Sequence, residues 1–312
     1  MKVSAILSIH NRSKLFRRAL DSYAWQSMEP HEFELVIVDD MSSEDLSLTY
    51  RHLIGLINIV HVRIDHTKHR VFKERNPGWA PGDPFQNWFH TPAISINVGA
   101  HVAKGAALCL CHPEILHAPA NFDIAYNMLI AQGMKHFIFG QTYLGTQEMN
   151  ATIERDSEGW SFGGWDAFLS RMGGRGKVPK FGPTELYWYT SFLPRDVVVK
   201  VGGVDFAFLN GVAGEDDDFK ERVKLAGWTP YFEPAIEGFH QDHSDEKGHR
   251  DRSTKAWEEA LNRNRALLFA RLGTPRPEFG PAPCPPGFPM PANGADDWTA
   301  ADTIDSIVRY TV

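Results

Sequence analysis

The sequence predicts an α/β fold with a mostly parallel sheet flanked by helices. Three short apolar runs alternate with segments of helical periodicity over the first 64 residues. Short apolar runs between polar breaks are typical of strands buried on both faces, and strands that alternate with helices pair in parallel. Polar and acidic residues follow where these runs stop, at the sheet edge where such folds bind ligands.

The apolar runs predict the strands, and the helical spacing of apolar residues predicts the helices. Strands are expected at 3–9, 33–38, 59–64, 106–111 and 135–140. Helices are expected after Ser13, from the Asp39-Asp40 break to near Leu56, and at 95–103, 121–133 and 257–272. The last stretch, 302–310, is predicted to form a short docking helix. Residues 145–185 are rich in Gly and Trp and give no clear element.

Composition narrows the class of protein. The 312 residues carry a net charge of −7, which argues against non-specific coating of nucleic acid but not against local contact with it. Three cysteines without a C-x-x-C spacing predict neither a disulfide framework nor a zinc site. We found no signal-peptide pattern and no apolar run of membrane-spanning length, so a cytoplasmic protein is expected.

One large domain and an extension account for this length. We predict one large α/β domain over 1–272 in two halves, 1–115 and 116–272, with nucleotide-binding potential at the strand ends of the first half. Residues 273–312 are predicted to form a Pro-rich C-terminal extension, because prolines crowd 275–291. The sequence leaves the oligomeric state open.

The acid-rich stretch Gly214-Glu215-Asp216-Asp217-Asp218 opens a segment of helical periodicity that stops at Gly227. Carboxylates are favoured in the first turn of a helix by its dipole, so one interpretation is a purely structural helix start. The other is a catalytic carboxylate.

A second acidic site follows the strand at 33–38. Asp39 and Asp40 lie at the carboxyl end of a predicted parallel strand, where ligands bind in such sheets. An Asp at this place can accept a hydrogen bond from the ring N–H of a pyrimidine base. The alternative is a turn in which Asp45 caps the next helix.

Six segments, taken in chain order, resemble motifs of family 2 glycosyltransferases, which have the GT-A fold. Ser8-Ile9-His10-Asn11-Arg12 is similar to Thr-x-Tyr-Asn-Arg, and Asp39-Asp40-Met41-Ser42-Ser43-Glu44-Asp45 is similar to Asp-Asp-Gly-Ser-Thr-x-Asp, with Met41 in place of Gly. The others are Asn97-Val98-Gly99 with Ala103 and Gly105, where Ile96 replaces an Arg; Cys111-His112-Pro113-Glu114-Ile115-Leu116-His117; Gly214-Glu215-Asp216-Asp217-Asp218; and Gly238-Phe239-His240-Gln241-Asp242-His243.

The resemblance implies a donor site and a metal site. Asp40 would contact the base, His10 would replace a stacking Tyr, and Ser8, Arg12 and Asn97 would complete the donor contacts. The position of His112-x-Glu114 holds Asp-x-Asp in most of the family. The sequence here is similar to an Asn-Pro-Glu-x-x-His variant of bacterial and phage-type members. The implied metal ligands are Glu114, His112 and His240, and His243 is the alternative candidate. His117 would either support these ligands without touching the metal or have a purely structural role. Such ligands suit Mn²⁺ or Mg²⁺.

The resemblance also implies the reaction, and it makes 1–272 the catalytic domain, with 1–115 as the nucleotide-sugar-binding half and 116–272 as the acceptor and catalytic half. Asp216 would be the general base that deprotonates the acceptor hydroxyl, and Glu215 would bind the acceptor or the donor sugar. Asp217 and Asp218 would only start the helix. The expected donor is a nucleoside-diphosphate sugar, with UDP as the expected nucleotide. The transfer would invert the configuration of the anomeric carbon. The acceptor stays open among a glycan precursor, a protein and a modified base in phage DNA, and a phage protein would act in the host cytoplasm.

Two rival functions remain. A degenerate sugar-nucleotide-binding module without turnover would explain the replaced Asp-x-Asp motif. A nucleotidyltransferase would need a Gly-rich phosphate loop after the first strand, and Ile9-His10-Asn11-Arg12 has no Gly. Further candidates are Arg250 and Arg252, as diphosphate contacts or a solvated face, and five tryptophans that could stack on sugars or fill the core: Trp79, Trp88, Trp160, Trp165 and Trp188.

Overall fold

The structure is a computed structural model that describes residues 1–75, 92–156, 164–183, 188, 190–209, 213–243, 255–272 and 298–312. In these ranges the chain forms one nine-stranded sheet flanked by helices. The strands are β1 Val3–Ile9, β2 Phe33–Asp40, β3 Asn58–Ile64, β4 Ala107–Cys111, β5 Ile115–His117, β6 His136–Leu144, β7 Thr190–Pro194, β8 Thr229–His240 and β9 Ile304–Tyr310. The helices are α1 Ser13–Ala24, α2 Ser47–Tyr50, α3 Arg70–Arg75, α4 Pro92–Val102, α5 Asn121–Ala131, α6 Gln147–Asp156, α7 Trp165–Arg171, α8 Arg195–Val201, α9 Glu215–Leu225 and α10 Lys255–Leu272.

The sheet is mostly parallel, as the sequence predicts. Its strand order is β5-β8-β6-β7-β4-β1-β2-β3-β9. The strands β1 to β4, β6 and β8 run in one direction, and β5, β7 and β9 run against them. The carboxyl ends of the six co-directional strands therefore meet at one edge of the sheet, which we call the carboxyl edge.

Helices cover both faces of the sheet because its central strands are apolar on both sides. Ile6 and Val36 lie in the core on one face, while Ala5 and Leu35 lie in the core on the other. Helix α4 packs against the first of these faces, and a Cβ atom on Gly99 would overlap the side chain of Ile6. The Asn97-x-Gly99 motif is therefore explained in part by close packing of a helix on β1.

Helix α9 ends at the edge of the sheet opposite the carboxyl edge. It ends beside the start of β6, where Trp228 Nε1 donates to the carbonyl of Met134 at 2.8 Å and Thr229 N donates to the carbonyl of Lys135 at 3.0 Å. Eleven helical residues span roughly 16 Å, so the first turn of α9 lies toward the opposite edge. The acidic residues that open α9 therefore lie toward the carboxyl edge.

Two element predictions were wrong. The predicted C-terminal helix is the strand β9, which pairs antiparallel with β3 and joins the end of the chain to the sheet. The helix expected up to Leu56 is limited to α2 and a short 3₁₀ turn, Arg51–Leu53. The Pro-rich stretch at 275–291 lies outside the described residues, and the division at residue 272 stays a prediction.

Among the described residues, no helix combines the length and the apolar character needed to cross a membrane.

Candidate functional site

The loops after β1 and β2 are joined by side chains at the carboxyl edge. Nδ1 of His10 lies 2.7 Å from the backbone oxygen of Asp40, and Asn11 Oδ1 accepts from the backbone and hydroxyl of Ser43. Asn11 and Arg12 both have positive φ, and so does Met41 at φ 57°. The left-handed conformation of Met41 is one that Gly adopts without strain, so a Gly at this position would also fit the turn.

The two aspartates at the end of β2 bind side chains that lie in β3 or just after it. Nδ1 of His66 lies 2.8 Å from Oδ1 of Asp40, with both residues buried. Asp39 accepts from the backbone N–H of Ser42 and from Arg63. Burial would raise the pKa of Asp39, but hydrogen bonds from His61 and Ser42 and the charge of Arg63 lower it. Asp39 is therefore engaged in the fold, and Asp40 is oriented by a histidine.

Sequence reasoning missed His66 and Arg63. The available signal was the parallel register of β2 and β3, which places Asp39 beside Arg63. Polar residues at the end of β3 would then be expected to meet the acids at the end of β2. Without a known strand order, that pairing was one of several.

Glu114 lies at the centre of a cluster of histidines. Its side chain is 1% exposed, and its Oε1 is 3.5 Å from His112 Nδ1, 3.5 Å from His240 Nε2 and 3.4 Å from His243 Nε2. Its Oε2 pairs with Arg12 Nη1 at 3.2 Å. The structure thus brings together the predicted residues Glu114, His112, His240, His243 and Arg12 from the ends of β1, β4 and β8.

The charge state of this cluster favours a cation-binding carboxylate. Burial would raise the pKa of Glu114, but the charge of Arg12 and hydrogen bonds from His112, His240 and His243 lower it well below its ordinary value. Burial would lower the pKa of His112, and the contact with Glu114 raises it. Glu114 is therefore ionised near neutral pH.

Two buried amides fix the segment that carries both C-terminal histidines. The side chain of Gln241 is fully buried and donates to the carbonyls of Leu15 and Glu114, each at 3.0 Å. Asn150 of α6 donates to the carbonyl of Asp242. Because Gln241 and Asp242 lie between His240 and His243, these bonds set the position of both imidazoles.

The donor atoms fit a divalent metal ion. One oxygen of Glu114 and one nitrogen each of His240 and His243 lie within 4.8 Å of one another. Two adjacent ligands about 2.1 Å from an octahedral ion are about 3.0 Å apart, a few tenths of an ångström less than the distances of 3.5 Å and 3.4 Å from Glu114 to His240 and His243. A set of one carboxylate and two imidazoles suits Mn²⁺ better than Mg²⁺. Here the reserve residue His243 is a member of the group, and His112 faces Glu114 from one side.

Asp216 lies in the first turn of α9 and is partly buried. Its pKa is raised to about 7, first by burial and then by the charges of Asp217 and Glu215. Its Oδ1 accepts from the backbone N–H of Asp217 at 2.9 Å. A carboxylate with a pKa near 7 can take up a proton at neutral pH, which is the property that a general base needs.

The neighbouring acids have structural partners. Asp217 pairs with Lys220 at 2.8 Å, and buried Asp218 pairs with Arg222 at 2.8 Å and with Arg271 at 2.7 Å. Both are thus engaged within and beside the helix, in agreement with the prediction that they are helix-start acids. Glu215 is partly buried at the same turn.

Of the two further predicted donor contacts, Asn97 is buried and Ser8 is partly exposed near the carboxyl edge. Asn97 is fully buried, and its amide donates to the carbonyl of Val204 at 2.9 Å and accepts from the N–H of Val204 at 2.7 Å. These bonds hold the Gly203 turn against α4, so the position of Asn97 does not support a donor contact. Ser8 is partly exposed, one residue before the end of β1.

The remaining candidates are core residues or lie outside the described residues. His117 is fully buried against Tyr23, with ring centroids 5.0 Å apart, and it groups with buried Cys109 and Cys111 and not with Glu114. Trp188 is a core residue, while Trp165 stacks on Phe168 and donates to Glu237. Arg250, Arg252, Trp79, Trp88 and Trp160 lie outside the described residues.

No protein-family model matches the sequence, and no curated protein matches it. Solved structures do match the fold. S. aureus TarS in complex with UDP-GlcNAc, a 1–349 fragment, is 15% identical with a TM-score of 0.55, covering 86% of this chain and 67% of that one. A crystal structure of S. aureus TarS is 14% identical with a TM-score of 0.54, covering 87% of this chain and 40% of that one.

A third structure is similar over most of this chain. It is the mannosyltransferase PcManGT from Pyrobaculum calidifontis in complex with GDP-Man and Mn²⁺, 15% identical with a TM-score of 0.51, covering 96% of this chain and 70% of that one. This chain therefore spans less than half of the longer TarS chain and about two thirds of the fragment. At these identities the similarity concerns the fold: the chain has a mixed α/β, GT-A-like fold, similar to the folds of TarS in complex with UDP-GlcNAc and of PcManGT in complex with GDP-Man and Mn²⁺.

Proposed function

We propose that this chain is a glycosyltransferase that moves a sugar from a nucleoside-diphosphate sugar to a hydroxyl group with inversion. The observation that carries the proposal is that three acidic groups lie at or toward the carboxyl edge of the sheet. They are Asp40 beside His10 and His66, Glu114 among its histidines, and Asp216 with its raised pKa. Base recognition, diphosphate binding and proton removal each need one of these groups.

Asp40 and His10 form the nucleoside part of the proposed site. A carboxylate accepts the ring N–H of a uracil, and His66 fixes the direction of the Asp40 carboxylate through a 2.8 Å contact. His10 is partly exposed beside it and presents a ring to the base. This arrangement favours a UDP-linked donor. The fold is shared by complexes with UDP-GlcNAc and with GDP-Man, so the test includes both nucleotides.

Glu114, His240 and His243 would hold a divalent metal ion, with His112 at their side. When bound, the ion would stabilise the negative charge of the departing diphosphate. Arg12 already lies at this place, paired with Glu114, and its guanidinium is suited to bind phosphate oxygens. Ser8 lies near the carboxyl end of β1, the strand that Arg12 follows, and would complete the contacts with the donor.

Asp216 would act as the base in a single displacement. The acceptor oxygen bonds to the anomeric carbon while the bond from that carbon to the diphosphate oxygen breaks. The acceptor proton moves to Asp216, the nucleoside diphosphate leaves with the electron pair, and the anomeric configuration inverts. Glu215, in the same turn, would bind the acceptor or the donor sugar.

Binding and slow hydrolysis of a panel of nucleotide sugars test this function. We expect one UDP-sugar to bind and to release UDP slowly, faster with Mn²⁺ than with EDTA. Asp40→Asn should weaken UDP binding, because an amide in place of the carboxylate loses an acceptor oxygen. If neither uridine nor guanosine nucleotides bind, the proposal is wrong.

Asp216→Asn separates an enzyme from a binding module. The amide cannot take up the proton, so transfer should fall by a factor of about 10²–10⁴ while donor affinity stays the same. Candidate acceptors for the transfer assay are a glycan precursor, a protein and a modified DNA base. A wild-type protein that binds the donor but transfers sugar to none of these acceptors and hydrolyses no donor would be a binding module. Turnover that Asp216→Asn leaves unchanged would keep the enzyme and overturn Asp216 as its base.

A further inference from the structure

Helix α10 presents a mixed polar and apolar face to the loop that leads into α9. Asn264 and Leu268 are buried, and Arg271 is 11% exposed. Their spacing of four and three residues places all three side chains on one face of the helix. Leu268 packs against Phe208, which lies in the loop between the Gly203 turn and α9.

Asn264 binds both sides of this loop. Its Nδ2 donates to the carbonyl of Phe208 at 3.1 Å and to the carbonyl of Ala213 at 2.8 Å. Ala213 has φ 61° and Gly214 has φ 90°, so the chain enters α9 through two left-handed residues. A non-Gly residue in this conformation persists where surrounding contacts impose it, and the bond from Asn264 is such a contact.

Arg271 joins the two ends of the same segment. Its guanidinium donates to Asp205 at 2.6 Å and to Asp218 at 2.7 Å, and it lies over the ring of Phe208. Asp205 and Asp218 are both fully buried. A planar, two-pronged donor between two carboxylates restricts both of them.

Asn264 and Arg271 of α10 thus contact the chain on both sides of Asp216, at Asp205, Phe208 and Ala213 before it and at Asp218 after it. Asp216 lies three residues after Ala213 and two residues before Asp218, so the backbone that carries it is tied to α10 on both sides. We infer that Asn264 and Arg271 are positioning residues, which hold the Asp216 carboxylate where the acceptor hydroxyl is deprotonated. This inference rests on the proposed function, because it takes Asp216 as the base.

Asn264→Ala tests the inference, with Asn262→Ala as the matched control. Asn262 is an exposed amide on the same helix. Isothermal titration calorimetry with UDP gives the number of folded binding sites and their affinity for UDP. The kcat of sugar transfer is then expressed per UDP-binding site. All measurements are made well below the melting temperature of each variant. We expect Asn264→Ala to lower kcat per site by about 10–100-fold at unchanged UDP affinity, since small misplacements of catalytic groups cost that much. Asn262→Ala should match the wild type.

Arg271→Lys is the second variant, with Arg265→Lys as its control. Lys keeps the charge but cannot reach both carboxylates in a planar fork, so kcat per site should fall without a change in UDP affinity. Arg265 is exposed, and its replacement should have no effect. If kcat per site stays at the wild-type value in both Asn264→Ala and Arg271→Lys, the inference is overturned. A loss that appears only as fewer UDP-binding sites would overturn it as well.

Asp216→Asn in the same assay distinguishes the two failures. If it abolishes transfer while the α10 variants are fully active, the proposed function stands and the positioning role is wrong. If Asp216→Asn keeps wild-type transfer, the base assignment fails, and the role of α10 fails with it.

Discussion

At the scale of single residues, the pKa of Asp216 predicts how activity depends on pH. A base must be deprotonated to act, so kcat should rise with pH and level off above about 7, the raised pKa of Asp216. Asp217→Asn removes one of the charges that raise this pKa, so the rise in kcat should move to lower pH. The measurement is a pH profile of kcat with saturating donor and acceptor.

Asp196→Asn is the control for this shift. Asp196 is an exposed acid in the first turn of α8, which begins at the opposite edge of the sheet. Its profile should coincide with that of the wild type. An unchanged profile in Asp217→Asn, or a wild-type profile that shows no rise near pH 7, would mean that Asp216 is not the group that titrates.

The geometry around Glu114 predicts which histidines bind metal. His240 and His243 share a compact group with Glu114, while His112 approaches from outside that group. His243→Ala should therefore weaken Mn²⁺ binding by at least about tenfold, and His112→Ala should weaken it less. Titration of Mn²⁺ by electron paramagnetic resonance measures both, and His101→Ala, at an exposed histidine, is the control. A larger loss in His112→Ala would reverse the assignment.

The sequence pointed to the candidate acids and to the histidines around Glu114, but it missed other residues that hold them, such as His66 and Gln241. Asp40, Glu114 and Asp216 each follow a strand or open a helix, which a single sequence window reveals. His66 reaches Asp40 from 26 positions further along the chain, and Gln241 reaches Leu15 from 226 positions away. Such contacts depend on the strand order, which no local pattern contains.

At the scale of elements, Asn97 is predicted to hold α4 to the Gly203 turn. Asn97→Ala would remove both of its hydrogen bonds to buried Val204, each with a net contribution of about 0.5–1.5 kcal/mol. We expect a matching loss in the free energy of unfolding by urea, with UDP affinity unchanged in the folded protein. Asn127→Ala, at an exposed amide on α5, is the control.

UDP binding decides between the two roles of Asn97. A large drop in affinity without loss of stability would restore the donor contact that the family resemblance implies. Stability loss alone would make the Asn-x-Gly motif a packing device, in which Asn97 clamps a turn and Gly99 lets α4 approach β1.

The error at β9 shows where periodicity misleads. Ile304, Ile307 and Val308 follow a helical spacing of three and four residues, which predicted a helix. In the structure this segment is an edge strand, and residues 305–309 are exposed. Because neither face of this part of β9 is buried, its pattern carries no information on the strand, and pairing with β3 decides its structure.

At the scale of the whole molecule, the end of the chain completes the same core as its beginning. Trp298 and Ala300 lie in the core cluster that contains Ile6 and Val36. The carbonyl of Thr303 accepts from the N–H of Asp65, just before His66. The C-terminal residues thus support the segment that orients Asp40, a link that composition and Pro content did not indicate.

Trp298→Ala tests this link. Removing a nearly buried tryptophan from the core should lower the free energy of unfolding by about 3–5 kcal/mol. UDP affinity should fall as well, because the contact between Thr303 and Asp65 helps to place His66 and hence Asp40. Ile307→Ala, at a half-exposed side chain of β9, should change stability by no more than about 0.5 kcal/mol. Urea unfolding and UDP titration measure both quantities.

If Trp298→Ala unfolds at the wild-type urea concentration, the C-terminal segment is not part of the core. If only stability falls, the segment supports the fold without shaping the nucleoside site.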